Sequence, residues 1–479
     1  MMWRQGAYRR WLVGSLILLS TAWLVPAGVV PGEAASPLQV AYAEADITPP
    51  LGGSMPGYFQ DRKATGVLDP LKAKVLYLRK GDDRVALVAC DLLGMGAPTV
   101  KRIRDRVAAL ARERKVAAPK QVWVHCSHTH TGGMVPRSDG FTSDAEQIYP
   151  GFYQGTVNEQ WMSDLVERTA DAVIRAAAEA ADERQVTLHE GREATVAHIR
   201  RFLMKNGKVR TNPGRNNPDV VRPNGEIDPR IHTLRFEKSR VLAVFYGLHP
   251  DCVGGTQYSA DYPGHLTAAL RESLGADWRV IYLNTCCGNI NHIDVQNLAQ
   301  KSGPEESRRI GRTLAAAVRE SLAKGEPVVA DRLSARTTRV TCRLRKPTPE
   351  EFDEAKERLR TNRNPMDFNG LFAPAALVLG VTRDREHTAE VGALRLGSFG
   401  LATMPGEYFV ELGREVEAGS PFKPTRTLGL TNGSMGYIPT RQAYQEGGYE
   451  AGYRSARYEP ENGHRWAAAA VKMLAGMRR

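Results

Sequence analysis

The segment W-V-H-C-S-H-T-H-T-G-G carries three histidines, His125, His128 and His130, directly after the apolar run 122–124. If a strand continues through this segment, His128 and His130 point to one face, because side chains alternate along a strand. In α/β proteins, ligands bind at the carboxyl ends of strands. A single histidine is usually a hydrogen-bonded structural residue, but two imidazoles on one face at a strand end indicate a metal or catalytic site.

A second histidine follows another apolar run. Residues 244–248 lead into His249, and Pro250 ends the strand because proline has no N–H donor. Asp251, Asp261 and His265 follow within a short stretch. Asp261 suits two roles equally, a helix or turn cap and a carboxylate that supports a metal ligand.

Two more polar segments follow apolar strands. Residues 281–284 run into the glycine-containing turn 285–292, whose backbone amides could bind an oxyanion or simply form a strand-to-loop connection. In the segment M-P-G-E, Glu407 precedes a helical pattern over 408–416. Its carboxylate could bind a metal or interact with the helix dipole.

These residue types match the requirements of a zinc hydrolase. Such enzymes use three or four nitrogen and oxygen ligands and leave a position open for water. His128, His249 and Glu407 meet this requirement, each at the end of a predicted strand. Bound zinc lowers the pKa of water from about 16 to about 7 and polarises a carbonyl group. The residues therefore match a Zn²⁺ site of a hydrolase, provided that they meet in space.

Alternating strand and helix patterns from about residue 40 onward predict the elements that position these residues. The pattern indicates strands at 72–79, 84–90, 121–127 and 280–283, paired strands within 391–403, and helices over 100–110, 162–173, 310–318 and 348–359. The last helix opens with the capping box T-P-E-E. Residues 202–230 and 431–465 are predicted to be long loops. The fold class is α/β, with mixed β-sheets flanked by helices in one large catalytic domain over 40–479.

The first 34 residues resemble a signal peptide. A basic start precedes an uncharged stretch over 11–30, and small residues lie before a cleavage site after Ala34. Arg9 and Arg10 also resemble a twin-arginine signal. The sequence predicts an exported protein, periplasmic or extracellular, with an uncleaved membrane anchor over 11–30 as the alternative.

The composition excludes several classes of protein. With 42% hydrophobic and 25% charged residues in 479, the chain is neither disordered nor collagen-like. The single long apolar stretch excludes a polytopic membrane protein. A net charge of +12 permits association with a membrane surface but does not indicate nucleic-acid binding. The six cysteines lack C-x-x-C spacing and are interpreted as small buried thiols.

The order of the motifs resembles the catalytic domain of the neutral/alkaline (non-lysosomal) ceramidases. The resemblance covers about residues 40–460. It rests on A-D-I-T-P and M-P-G-Y near the start, then H-T-H-T, Y-G-L-H-P, C-G-N-I-N-H and M-P-G-E, and finally the closing segment N-G-S-M-G-Y-I-P-T, with Tyr444 and Tyr449-Glu450 beyond it.

The resemblance implies a zinc amidohydrolase of sphingolipid metabolism that cleaves the N-acyl bond of a lipid-like or small-molecule substrate. It implies zinc ligands at His128, His249, Glu407 and Tyr437. It further implies that His130 acts on the scissile group and that an arginine, Arg200 or Arg201, orients the substrate. Tyr437 would bind the metal or stabilise the oxyanion.

The chain departs from the family at two points. The family's turn G-D-x-S-P-N contains a serine regarded as catalytic, whereas this chain has Asn291 there, and an amide cannot be a nucleophile. The family's C-terminal immunoglobulin-like domain is expected to be absent. An unpaired Asn291 amide and the basic residues of 202–230 would favour a substrate smaller or more polar than long-chain ceramide. Alternatively, Asn291 bonds only to its own turn.

Two other classes remain compatible with the sequence. One is a metal-dependent esterase or phosphoesterase that uses the same ligands on a more polar substrate. The other is a non-catalytic envelope protein that binds lipid or carbohydrate at a relic of the site.

Overall fold

The computed structural model describes residues 36–136, 155–361 and 368–478. Its first sheet has five strands, in the order Gln121–Cys126, Asp83–Cys90, Lys72–Lys80, Leu38–Asp46 and Ala181–Glu183. Only the pair Asp83–Cys90 and Gln121–Cys126 is parallel. Helices Ala97–Glu113 and Glu159–Glu179 bury their apolar faces against this sheet, so the predicted strands and helices of this region are confirmed.

The second sheet also has five strands, in the order Arg279–Asn284, Val241–Tyr246, Arg230–Phe236, Val186–Arg192 and Gly325–Pro327. The first two are parallel, which places their carboxyl ends side by side. Helices Tyr262–Leu274 and Pro304–Ser321 pack on this sheet around Leu266 and Leu314.

The third sheet has four strands, in the order Leu333–Arg343, Glu386–Leu396, Phe399–Thr403 and Thr425–Leu428, with the last pair parallel. Helices Val410–Gly419 and Glu461–Ala475 lie against it. Helices Pro349–Thr361 and Phe368–Val381 form a neighbouring pair. The predicted capping box is present, because Thr348 and Glu351 exchange hydrogen bonds of 2.8 and 3.2 Å.

Residues from all three sheets share one buried core. Trp123 of the first sheet, Phe245 of the second and Leu401 of the third belong to a single apolar cluster. The described residues from Pro37 onward form one compact unit. The predicted fold class, mixed β-sheets flanked by helices, is confirmed. None of the helices in the described ranges is long and apolar enough to cross a membrane.

Short elements complete the fold around the ends of the sheets. These are the two-residue strand pairs Ser54–Met55 with Arg62–Lys63, Gly66–Val67 with Gln257–Tyr258, His198–Ile199 with Ile290–Asn291 and Glu407–Tyr408 with Tyr437–Ile438, helix Arg441–Glu446 and the 3₁₀ turn Tyr449–Ala451.

The prediction of a long loop over 202–230 is wrong. Strands Arg201–Met204, Val209–Thr211 and Val220–Pro223 form a small antiparallel sheet there. The predicted signal peptide, residues 1–34, lies outside the described residues. All six cysteines are buried free thiols, as expected.

Candidate metal centre and active site

His128 lies just beyond the first sheet in an unusual backbone conformation. The strand ends at Cys126, and His128 has a φ of +77°, the left-handed region that residues other than glycine rarely occupy. The condition under which strand alternation would place both rings on one face, a strand that continues through His130, is therefore not met. The turn nevertheless brings the two rings together, with His128 and His130 centroids 5.0 Å apart and the rings perpendicular.

His128 is fixed by backbone groups. Its N–H donates to the carbonyl of Leu92 at 2.9 Å, and its Nδ1 lies 2.6 Å from the carbonyl oxygen of Leu93. A carbonyl oxygen can only accept, so Nδ1 carries the proton and donates. The lone pair of the neutral ring is therefore on Nε2.

His249 follows the strand Val241–Tyr246 of the second sheet and shows the same arrangement. Its Nδ1 lies 2.8 Å from the carbonyl oxygen of Cys287 and 3.0 Å from that of Ile290, so Nδ1 is again the donor. Its Nε2 lies 3.1 Å from Nε2 of His128. Because both Nδ1 protons are donated to carbonyl groups, the Nε2 lone pairs of His128 and His249 point to the same place.

An acidic and a phenolic oxygen complete the cluster. Oε2 of Glu407 lies 3.2 Å from Nε2 of His128 and 3.3 Å from Nε2 of His249. Oη of Tyr437 lies 3.3 Å from Nε2 of His249, and the two rings are nearly parallel. The parallel strand pair Glu407–Tyr408 and Tyr437–Ile438 aligns these two residues directly. The helix begins only at Val410, so Glu407 is not a helix-dipole partner.

The spacing of the donor atoms fits the ligands of one metal ion, such as zinc. Ligand atoms about 2.0 Å from such an ion lie about 3.3 Å from one another. The four measured separations among the cluster atoms range from 3.1 to 3.3 Å. Two imidazole lone pairs and a carboxylate at these distances repel one another unless protons or a cation lie between them. All four side chains are buried, so the cluster is shielded from water.

Two acidic groups of the cluster have displaced pKa values. Burial opposes ionisation of Glu407, but the imidazoles of His128 and His249, in their protonated forms, outweigh it and hold its pKa well below the usual range. Burial raises the pKa of Tyr437 well above the usual range, with Arg200 acting against this and Glu407 adding to it.

His130 lies beside the cluster of His128, His249, Glu407 and Tyr437 but is not one of these four residues. The three imidazoles offer nitrogen atoms that all lie within 4.8 Å of one another. Nε2 of His130 is buried and has no hydrogen-bond partner among the described residues. Burial, together with His128, lowers the pKa of His130 well below its ordinary value. A neutral ring with an uncommitted nitrogen is suited to accepting a proton.

The backbone around His130 holds it closely. Its N–H donates to the carbonyl of Pro250 at 3.0 Å, and Nη2 of Arg62 donates to its carbonyl at 2.5 Å. The backbone of Gly57 runs so close to the ring that a Cβ built there would lie 2.9 Å from Cγ and Nδ1. The sequence does not indicate that Gly57 and Arg62 contact His130, because the M-P-G-Y motif carries no signal for such a contact.

Arg200, and not Arg201, is the arginine that reaches the cluster. Nη1 of Arg200 lies 3.5 Å from Nε2 of His249, and its guanidinium lies 5.1 Å from the ring centroid of Tyr437. Its Nη2 donates to the carbonyl of Gly288 at 2.7 Å. Arg201 instead donates to the carbonyl of Gly447 at 2.9 Å, away from the histidines.

Asn291 does not present an unpaired amide. Its Nδ2 donates to Oδ1 of Asn212 at 2.9 Å, and its Oδ1 accepts from the N–H of Ile293 at 3.1 Å. The unpaired amide from which a polar substrate was expected is therefore not present, and the substrate preference itself stays a prediction. The five basic residues expected to add an anionic preference are all exposed, on the small sheet or on the segments that connect its strands: Lys205, Lys208, Arg210, Arg215 and Arg222.

The remaining polar residues near His249 have structural partners. Asp261 accepts from the N–H groups of Val253 and Tyr262 at 2.9 and 2.5 Å, so of its two predicted roles it fills that of helix cap. Asp251 pairs with His292 at 2.8 Å, a contact that the sequence did not reveal.

The comparisons with known proteins concern the fold. No protein-family model and no curated protein matches the chain. Among solved structures, neutral ceramidase from Pseudomonas aeruginosa is similar, with a TM-score of 0.69 and 20% identity over 92% of this chain and 75% of that one. A ceramidase complexed with C2 is similar too, with a TM-score of 0.68, 18% identity and the same coverage. The chain therefore has a neutral ceramidase-like fold, which confirms the resemblance drawn from the motifs.

Proposed function

We propose that the protein is a zinc-dependent hydrolase that cleaves the N-acyl amide bond of a lipid-like substrate of the ceramide class. The observation that carries the proposal is the convergence of four buried donor atoms from His128, His249, Glu407 and Tyr437, with separations of 3.1–3.3 Å. The likeness of the fold to neutral ceramidases supports the choice of an amide over other acyl bonds.

Zinc held by these four residues would supply Lewis acidity toward a carbonyl oxygen and lower the pKa of a water molecule. The protein's own groups would do the rest of the chemistry. Asn291 has no nucleophilic atom, so the attacking oxygen comes from water. Nε2 of His130 would accept a proton from that water and pass it to the departing amine nitrogen. This transfer leaves the carboxylic acid and the free amine as products.

Arg200 would orient the substrate. Its guanidinium faces both Nε2 of His249 and the ring of Tyr437, so it borders the position where a carbonyl oxygen would lie. A fixed positive charge there favours the oxyanion that develops as the carbonyl is attacked. The hydroxyl of Tyr437 would also stabilise the oxyanion or would bind the metal.

We further propose that the protein is exported, with residues 1–34 as the signal peptide or 11–30 as an anchor, and that it acts at or near a membrane surface. An exported site would meet N-acyl lipids where they are exposed. No nucleic-acid partner is proposed.

The test uses the full chain purified after export. Zinc content is measured first, and N-acyl amides including ceramides, carboxyl esters and phosphoesters are then offered as substrates. We expect close to one zinc per chain and turnover of amides that is lost on chelation and restored by zinc. Exclusive turnover of esters or phosphoesters would replace the proposal with the alternative hydrolases. A chain free of zinc that binds lipid without turnover would indicate a relic site.

A further inference from the structure

We propose that Glu450 is the positioning residue that holds Arg200 against the metal centre. The inference rests on the proposed function, and it concerns a carboxylate that lies outside the four candidate ligands. Glu450 belongs to the 3₁₀ turn Tyr449–Ala451, and its side chain is fully buried. Buried carboxylates are rare unless they are paired.

Glu450 pairs with two consecutive arginines. Its Oε1 lies 2.8 Å from Nε of Arg200, and its Oε2 lies 3.1 Å from Nη1 of Arg201. The hydroxyl of Thr211 also donates to Oε2 at 2.6 Å. Side chains of neighbouring residues in a strand normally point to opposite faces. Here Arg200 lies between two short strands, His198–Ile199 and Arg201–Met204, and this break lets both guanidinium groups meet one carboxylate.

The geometry fixes the guanidinium of Arg200 on three sides. Nε lies 2.8 Å from Oε1 of Glu450 as an ion pair without hydrogen-bond alignment, Nη2 donates to the carbonyl of Gly288, and Nη1 is left to face His249. The backbone of Arg200 is anchored as well, since its N–H donates to the carbonyl of Asn289 at 3.1 Å. Of these contacts, Glu450 alone provides a full negative charge.

Charge makes this contact necessary. Arg200 and Arg201 are only 5% and 1% exposed, so two positive charges are buried next to each other. A metal cation in the cluster would add further positive charge close to Nη1 of Arg200. Repulsion between them would push the guanidinium away, and in a buried site it is weakly screened. Glu450 offsets that repulsion and keeps Arg200 where a substrate carbonyl could meet it.

Glu450→Gln and Glu446→Gln form a matched pair of variants. Each removes one negative charge next to Arg201. Of the two arginines, however, Glu446 pairs only with Arg201, at 3.3 Å. We expect crystal structures to show Arg200 displaced from His249 in Glu450→Gln and in place in Glu446→Gln. Zinc content should stay near that of the native protein in both. Arg200 unmoved in Glu450→Gln would overturn the proposal.

Kinetics provide a second readout. Misplacement of a substrate-orienting group by about 1 Å can cost about 100-fold in rate. We expect Glu450→Gln to lower kcat/KM on the best amide by about that factor and Glu446→Gln to leave it near the native value. In an Arg200→Ala background, Glu450→Gln should add less than about twofold, because coupled residues are not additive. If the effects of the two substitutions on kcat/KM were fully additive, Glu450 would act on the fold and not through Arg200.

Glu450→Asp covers the case in which the glutamine variant does not fold. It keeps the charge but shortens the side chain by one methylene, so the fold is preserved while the contact with Arg200 lengthens. We expect at least about a tenfold loss of kcat/KM with zinc retained. Native activity in Glu450→Asp would count against the proposal. A native protein that cleaves no amide, together with a displaced Arg200, would reject the proposed function and leave the positioning role standing.

Discussion

Nε2 of His128 and Nε2 of His249 lie 3.1 Å apart, although the two residues are separated by 121 positions in the chain. Each ring donates its Nδ1 proton to a backbone carbonyl, so neither can donate to the other through Nε2 as a neutral imidazole. Two acceptors held at this distance would be stabilised by a cation bound between them, as the proposed function requires.

Removing either imidazole is expected to remove the metal. We predict that His128→Ala and His249→Ala each weaken zinc binding by at least about 100-fold, more than the loss of a supporting hydrogen bond. Metal analysis after dialysis measures the effect. His292→Ala is the control, because His292 is also buried but pairs with Asp251 outside the cluster. A variant of His128 or His249 with native zinc content would exclude that residue as a ligand.

Tyr437→Phe is expected to weaken zinc binding less than the histidine variants do. The hydroxyl is one of four donors and carries no charge until it ionises, so a loss of about 10-fold is expected. Turnover should fall more steeply, since the hydroxyl also faces the reacting group. Tyr444→Phe is the matched control: its hydroxyl donates to the carbonyl of Tyr458 at 2.8 Å in the same closing segment. Equal effects of the two changes would refute a role for Tyr437 at the metal.

His130→Ala is expected to keep zinc and lose turnover by about 100- to 10,000-fold, the usual contribution of a general acid–base group. Metal content and kcat are measured on the same preparation. A loss below about tenfold with zinc retained would mean that His130 is structural.

Gly57→Ala should cause part of the same loss of turnover, although His130 itself is not substituted. The added Cβ would lie 2.9 Å from the His130 ring, closer than carbon atoms normally approach. Gly52→Ala is the control, since Gly52 also has a positive φ, +81° against +110°, but has open space around it. Both changes carry a similar backbone cost of about 1 kcal/mol. Only Gly57→Ala is expected to lower kcat, and equal activity of the two variants would contradict this reading.

Asp91 is expected to make stability depend on pH. Burial raises the pKa of Asp91 to about 6, above its ordinary value near 3.8. A raised pKa favours the protonated form in the folded state, so this contribution is complete below about pH 3.8 and is lost as the pH rises through 6. The difference amounts to about 3 kcal/mol at pH 8. Asp91→Asn should therefore melt at a higher temperature than the native protein at pH 8, with a gap about half as large at pH 5.

Asp46→Asn should change stability with pH in the opposite direction, because the pKa of Asp46 is lowered. The Asp46 carboxylate contacts the side chain of Lys72, whereas Asp91 accepts from the backbone N–H of the same residue. Burial opposes its ionisation, but Thr48 and Lys72 together outweigh burial and lower its pKa. Its contribution is present above its unfolded pKa and is lost as the pH falls. Asp46→Asn should therefore not raise the melting temperature at any pH, and a rise at pH 8 like that of Asp91→Asn would refute both assignments.

The ends of the strands could be located from the sequence. The sequence could not show that the residues at these ends come together in one site. Apolar runs placed His128, His249 and Glu407 after strands, because such runs have a clear pattern. Their convergence depends on how three sheets pack, which no local pattern records. Tyr437 came only from the resemblance to a family, since its two-residue strand is too short to give a periodic signal.

Two errors have the same physical origin, which is pairing between distant segments. The sheet over 201–223 consists of strands of three or four residues, so its polar, glycine-containing sequence has the pattern of a loop. The helix predicted from 408 begins at Val410, because Glu407 and Tyr408 pair with Tyr437 and Ile438 instead.

If the proposed metal binds, the left-handed backbone at His128 links the stability of the protein to its metal supply. A side chain held at a φ of +77° costs about 1–2 kcal/mol, and the facing lone pairs add repulsion whenever no cation is bound. Metal binding to the folded state alone would relieve the repulsion and offset the backbone cost by mass action. Chains that lack metal unfold more often and are the first to be degraded by proteases. The amount of intact protein in a cell would then follow zinc availability as well as the rate of synthesis.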